Sequence, residues 1–177
     1  YGMLNPTRDN LEHFIQKGVY QTDRINIRSI KLFADGALGS RGALLTAPYS
    51  DDPGNKGLQV STTEFLTRIC RLAYENGYQV NTHCIGDSAV RLMLEIYSSI
   101  LPENNDLRWR IEHAQVVHPE DFPLFAVYGI IPSVQTSHAT SDMYWAGERL
   151  GQERLRTAYA YKTLLAQNRW LANGSDF

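Results

Sequence analysis

Apolar and polar positions alternate along this chain in short blocks. Residues 27–34 (Ile-Arg-Ser-Ile-Lys-Leu-Phe-Ala) read as a strand ending at Asp35-Gly36, followed by a polar, Gly-rich loop through Gly57. Ser61 and Glu64 then form a capping-box pattern. Phe65, Ile69, Leu72 and Ala73 supply a helical stripe that Gly77 ends. Residues 79–83 predict a second strand, and Gly86-Asp87 opens a helix with Val90, Met93, Leu94 and Tyr97 on one face. Residues 108–113 predict a third strand. His118-Pro119 precedes a short helix, with Pro suited to its first turn. Residues 130–135 predict a fourth strand, 148–167 one helix, and 170–174 a last strand. The stretch around Leu11, Phe14 and Ile15 is helix-like, with His13 structural.

Strands separated by helical connections imply βα units and a parallel sheet. A doubly wound sheet and a (β/α)₈ barrel both produce the pattern. Asp35, His83, His113, the Gln135–His138 stretch and Asp176 all fall at C-terminal ends of strands. A barrel gathers such ends at one mouth, whereas a doubly wound sheet spreads them along a line. The first strand also lacks a following Gly-x-Gly-x-x-Gly. A barrel is the better reading.

Composition changes this picture little. The 177 residues are 43% hydrophobic and 20% charged, with a net charge of −2, which fits a globular domain and not a nucleic-acid binder. No apolar run approaches the ~20 residues of a membrane helix. The two cysteines, Cys70 and Cys84, fit a reduced, cytoplasmic setting.

The candidate chemistry sits at the strand ends. A lone His83 reads equally as a core histidine bonded to backbone. With His113 and Asp176 it joins two imidazoles and a carboxylate that can hold a divalent metal such as zinc. Lys31 lies inside an apolar strand and needs a partner. That partner is Asp35, or the side chain faces outward, or it is a carbamate that bridges metal. Arg41 meets substrate or pairs with Asp35. Asp142 faces substrate or caps a helix, and His118 caps the short helix. Cys84 points away from His83 and is a poor nucleophile candidate. Strict alternation puts Arg108, Arg110 and Glu112 on the helix-facing side.

Five segments carry a resemblance. Lys31-Leu32-Phe33-Ala34-Asp35-Gly36-Ala37-Leu38-Gly39-Ser40-Arg41, Thr82-His83-Cys84-Ile85-Gly86-Asp87, Ile111-Glu112-His113-Ala114-Gln115, Gln135-Thr136-Ser137-His138 through Met143, and Gly174-Ser175-Asp176-Phe177 appear in order. They resemble the fourth- to eighth-strand motifs of the amidohydrolase superfamily, in the metal-dependent branch that includes N-substituted formamide deformylase and the exoenzyme regulatory proteins. The resemblance implies an α/β fold of the TIM-barrel type, partial here, with strands four to eight in residues 1–177. The earlier strands and an accessory β-sandwich are expected to lie outside this chain, because its five histidines contain no His-x-His pair. It implies hydrolysis of amide or related non-peptide C–N bonds by metal-activated water in a longer parent, with this piece inactive alone. His83 and His113 would bind one or two divalent ions, zinc in first place. Lys31 would bridge them if carbamylated, and Asp176 would be both metal ligand and catalytic base. His138 and Arg41 would face a small-molecule substrate. Unpaired sheet edges would offer a route to homo-oligomers. The competing reading is a non-catalytic regulatory or binding module on the same scaffold. It would be favoured by loss of Lys31, His83, His113 or Asp176, and all four are present.

Overall fold

The computed structural model describes residues 1–176; Phe177, the last residue of the final motif, lies outside the described residues. The chain forms one sheet flanked by helices. Its strands are β1 (Gly2–Leu4), β2 (Tyr20–Gln21), β3 (Asn26–Phe33), β4 (Gln79–Cys84), β5 (Arg110–His113), β6 (Ile131–Val134) and β7 (Ala172–Asn173). The helices are α1 (Arg8–Lys17), α2 (Thr63–Glu75), α3 (Asp87–Ser98), α4 (Phe122–Val127), α5 (Thr136–Asp142), α6 (Ala146–Leu155) and α7 (Tyr161–Asn168), with a 3₁₀ turn at Pro119–Asp121 before α4.

The spatial order is β1-β3-β4-β5-β6-β7, and every neighbouring pair along it is parallel. The five expected strands are therefore neighbours in chain order. A doubly wound sheet reverses its order at a switch point; this one does not, as a partial barrel requires. Two pairings are additional. β1 joins β3 in parallel on the far edge, and β2 folds back on β3 as an antiparallel hairpin. Strands of three and two residues are too short to leave a periodic signal.

The core lies between the sheet and its helices. Ile30, Leu32, Val80, Ile111 and Val134 from the strands pack with Leu66, Ile69, Met93, Leu94, Phe125 and Leu164 from the helices. The alternate strand residues, among them Ser29, Lys31, Asn81, Arg110 and Glu112, occupy the other face.

Three local expectations shift. Thr62, not Ser61, caps α2 by accepting from the Phe65 N–H at 3.2 Å. Its buried face is Leu66, Ile69, Cys70 and Ala73, one step around from the expected stripe. The long helix expected over 148–167 is interrupted, because Gly151 takes φ +73° and Tyr159 φ +52°; α6 and α7 are separate pieces. The Gly-rich loop after β3 is not simply a solvated connection. Leu38, Ala43, Leu45 and Tyr49 from it bury against Ile85, Val116, Leu150 and Ala158 as a second core.

Close backbone approach holds that loop to the sheet. A Cβ at Gly86, the N-cap of α3, would stand 2.0 Å from the Leu44 carbonyl oxygen. Gly86→Ala should therefore cost about 3 kcal/mol, the upper range of overpacking, read as a drop in denaturation midpoint. Gly54→Ala, with nothing within 4 Å of the added methyl, should leave the midpoint nearly unchanged. Equal midpoints for the two variants would contradict the close-approach reading.

Candidate active site

The site begins with Asp35, at the end of β3. Its carboxylate is 2% exposed and accepts three backbone N–H bonds, from Leu44 (2.9 Å), Ile85 (3.0 Å) and Gly86 (2.8 Å). Burial pushes its pKa up to about 7, against the downward pull of those donors. Asp87 repeats the device one turn away, accepting from the Thr46 N–H (2.9 Å) and hydroxyl (2.6 Å). The ends of β3 and β4 are thus locked together by carboxylates bonded to loop backbone.

His83 stands on this base at the penultimate position of β4. Its Nε2 lies 3.4 Å from the Gly36 carbonyl and 3.7 Å from Asp35 Oδ1. His113 ends β5, and the two imidazole centroids are 4.5 Å apart in an edge-on arrangement. Simple alternation does not produce this contact. His113 pairs in register with Cys84, whose side chain is buried in the core on the helix side. His113 instead adopts φ +75°, followed by Ala114 at φ +43°. Two successive non-glycine residues in the left-handed region cost of order 1–3 kcal/mol each. The turn brings the imidazole round to His83.

This turn corrects one expectation. With His113 swung out of alternation, Arg110 and Glu112 fall on the same face as their register partners Asn81 and His83, not on the helix side. They pair there at 2.8 Å, with the Arg110 guanidinium over the Tyr1 ring. Arg108 takes φ +58° and pairs at the surface with Asp106.

Burial lowers the pKa of both histidines, His83 to about 4. His113 further depresses His83, and Asp176 opposes the shift in both rings. Both imidazoles are therefore neutral at pH 7, the form that ligates metal. Lys31 has no ion-pair partner among the described residues, so the Asp35 pairing does not form. Its Nζ sits 5.1 Å over the Phe33 ring. Burial lowers its pKa, opposed first by Glu112 and then by Asp176. Asp176, exposed and at φ +70°, thus acts through its charge on Lys31, His83 and His113 together.

The remaining candidates divide. His138 on α5 stacks on His113, with centroids 5.9 Å apart and planes 15° from parallel. Arg41 is drawn away from Asp35 into a bidentate pair with Asp51 at 3.2 and 3.0 Å, a carboxylate it shares with Arg149. Asp142 caps no helix. Its Oδ2 accepts from the Tyr159 hydroxyl (2.8 Å) and Gln115 Nε2 (3.2 Å). His118 does cap the turn before α4, accepting from the Glu120 N–H. Gln135, part of a quoted motif but given no role of its own, lies 2.7 Å from His113 Nδ1. Its place directly after the β6 strand was the available signal. Among the described residues no three His, Cys, Asp or Glu side chains converge as a metal-binding group. Two concavities, of about 570 and 480 Å³, lie on the outer helices α1 and α2, away from the imidazoles.

Residues 6–177 match the amidohydrolase family. The chain belongs to that family. It is 41% identical over 152 residues to the putative amidohydrolase YtcJ of Bacillus subtilis, covering 86% of this chain and 28% of that protein. It is 38% identical over 166 residues to the protein LONG AFTER FAR-RED 3 of Arabidopsis thaliana, covering 92% of this chain and 28% of that one. The exoenzymes regulatory protein AepA of Pectobacterium carotovorum is 27% identical over 84% of the chain. A metal-dependent hydrolase of Pyrococcus horikoshii superposes with a TM-score of 0.88 at 34% identity, over 99% of this chain and 35% of that one. Another from Pyrococcus furiosus gives 0.89 at 31%, over 99% and 36%. The chain thus spans about a third of the length of the proteins it matches. No helix among the described residues is long and apolar enough to cross a membrane.

The lowered His83 pKa makes stability depend on pH. Between about 6.5 and 4 the unfolded chain binds a proton at residue 83 that the folded chain does not, so His83 stabilises the fold above pH 6.5 and loses that contribution as pH falls through 4. Asp35, raised to about 7, works in the opposite sense, favouring the fold as it protonates. The His83 contribution is therefore read as a difference between wild type and His83→Asn. That difference should shrink from pH 7 to pH 4 by on the order of 3 kcal/mol in metal-free urea denaturation. A constant difference would mean that His83 titrates normally.

Proposed function

We propose that the longer protein carrying this chain is a metal-dependent hydrolase of amide or related non-peptide C–N bonds. The observation that carries this reading is the meeting of two neutral imidazoles at the C-terminal ends of adjacent parallel strands. Lys31 and Asp176 act electrostatically on both of them.

The donor set fits a divalent metal. Neutral nitrogen ligands beside a carboxylate suit zinc, and His83, His113 and Asp176 would hold it. Burial lowers the Lys31 pKa, which favours the neutral amine that adds carbon dioxide, and as a carbamate it would contribute an anionic oxygen. A metal bound here would supply a water whose pKa is lowered to about 7. Asp176 would accept a proton from the attacking water at a carboxylate oxygen and would return it to the departing nitrogen. The C–O bond forms and the C–N bond breaks, leaving a carboxylic acid and an amine. His138, stacked on His113, faces the substrate. Arg41 reaches substrate only by leaving Asp51.

This chain alone supplies two imidazoles and one exposed carboxylate, where a catalytic zinc uses three protein ligands. We expect it to bind zinc weakly and to turn nothing over. In the longer protein, chelation should abolish hydrolysis and added metal should restore it. Asp176→Asn should lower kcat about 10²–10⁴-fold with metal content largely retained, as measured by elemental analysis beside the rate. Activity indifferent to chelators, or an Asp176→Asn protein at wild-type rate, would overturn the reading.

A further inference from the structure

We infer that Gln135 is a positioning residue that chooses which nitrogen of His113 is free to bind metal. The inference rests on the proposed hydrolase site and adds a residue to it.

His113 Nδ1 lies 2.7 Å from Gln135 Oε1. The amide has a defined orientation, because its Nε2 donates to the Ser133 carbonyl at 3.4 Å. A carbonyl oxygen is an acceptor only. The proton of the neutral ring must therefore sit on Nδ1, and the lone pair on Nε2. The neutral histidine side chain in water prefers the reverse, with the proton on Nε2. The pair is buried, His113 at 6% and Gln135 at 5% exposure, so water does not compete well for either group.

Gln135 is itself held. The Tyr161 hydroxyl donates to its backbone carbonyl at 2.9 Å, and the next N–H, of Thr136, donates to Asn173 Oδ1 at 3.2 Å. The other end of α5 is tied by Tyr159, whose hydroxyl donates to Asp142 at 2.8 Å. Tyr159 in turn donates its own N–H to the Gln115 carbonyl at 2.7 Å. No residue of α5 is buried. These bonds at its two ends, from the α6–α7 connection, the first residue of α7 and β7, help hold Gln135 against His113. A metal-ligating histidine whose second nitrogen is held by a fixed acceptor keeps its tautomer and ring orientation, and loss of such a partner typically lowers metal affinity 10–100-fold.

The test is imidazole ¹⁵N NMR on ¹⁵N-histidine-labelled full-length protein stripped of metal, with the His113 signals assigned by their loss in His113→Asn. Wild type should show a protonated Nδ1 and a bare Nε2. Gln135→Leu should move the proton to Nε2, whereas Gln135→Glu, which still offers an acceptor, should keep it on Nδ1. A second measurement titrates zinc alone against a chromophoric chelator. Gln135→Leu should bind zinc about 10–100-fold more weakly than wild type, and Gln135→Glu should not. Wild-type His113 protonated on Nε2, an unchanged tautomer in Gln135→Leu, or unchanged zinc affinity in that variant would overturn the inference. If Gln135→Leu does not fold, the wild-type tautomer decides alone. A wild-type protein that binds neither zinc nor another divalent ion refutes the hydrolase reading instead, while the metal-free tautomer still reports on Gln135.

Discussion

A buried carboxylate without a counter-charge organises this end of the sheet. Among the described residues no lysine or arginine pairs with Asp35, and Arg41 is committed to Asp51. What Asp35 has is three backbone N–H donors from two different segments. Each such bond to a charged acceptor is worth about 1.5–3 kcal/mol, and each donor left bare would cost a comparable amount. The long loop after β3 is thereby fastened to the turn that starts α3. The loop can then bring its own apolar side chains to a second core. His83 sits against this base, with the Gly36 carbonyl and Asp35 Oδ1 both near its Nε2.

The second constraint is conformational. A parallel strand alternates its side chains, so two adjacent residues cannot both face the same side. At β5 both Glu112 and His113 nevertheless do. The left-handed backbone at His113 and Ala114 makes this possible, and its strain is offset by the packing of Ala114 and Ile111 in the core. Strained backbone beside a candidate ligand is the pattern expected where geometry serves chemistry rather than stability. The ring also gains contacts on three sides, from His83, His138 and Gln135.

The open face of the sheet follows from the same arrangement. Lys31, Asn81, Arg110 and Glu112 lie on it in register, and Glu112 and Asp176 oppose the burial that depresses Lys31. Asn81 Oδ1 and Arg28 Nε are buried there without partners among the described residues. Buried polar groups are normally satisfied. A face of this kind suits the interior of a larger barrel, in keeping with a chain about a third as long as the proteins it matches.

Much was legible in the residues alone. Short apolar runs ending in polar residues located five parallel strands and their order, although the last of them, β7, has only two residues and carries no period-two signal of its own. The helix face of Val90, Met93, Leu94 and Tyr97 was legible because burial on one face of a helix repeats at period 3.6. His83, His113 and Lys31 stood out because polar groups inside apolar strands need an explanation. What the sequence could not carry was anything set by a single torsion or by a contact between distant segments. Alternation counted back from an inward-facing His113 puts Glu112 with the helices; only the φ of His113, at +75°, lets both residues share the inner face while Ile111 packs in the core. Arg41 had two carboxylates within ten residues, and the folded loop chose Asp51. Gly151 reads as a tolerable helix residue until Ser50 packs against it, where a Cβ would come within 2.7 Å of the hydroxyl. Gln135 gains a role only when β5 and β6 lie side by side, since a hydrogen bond across 22 residues leaves no periodic trace in either segment.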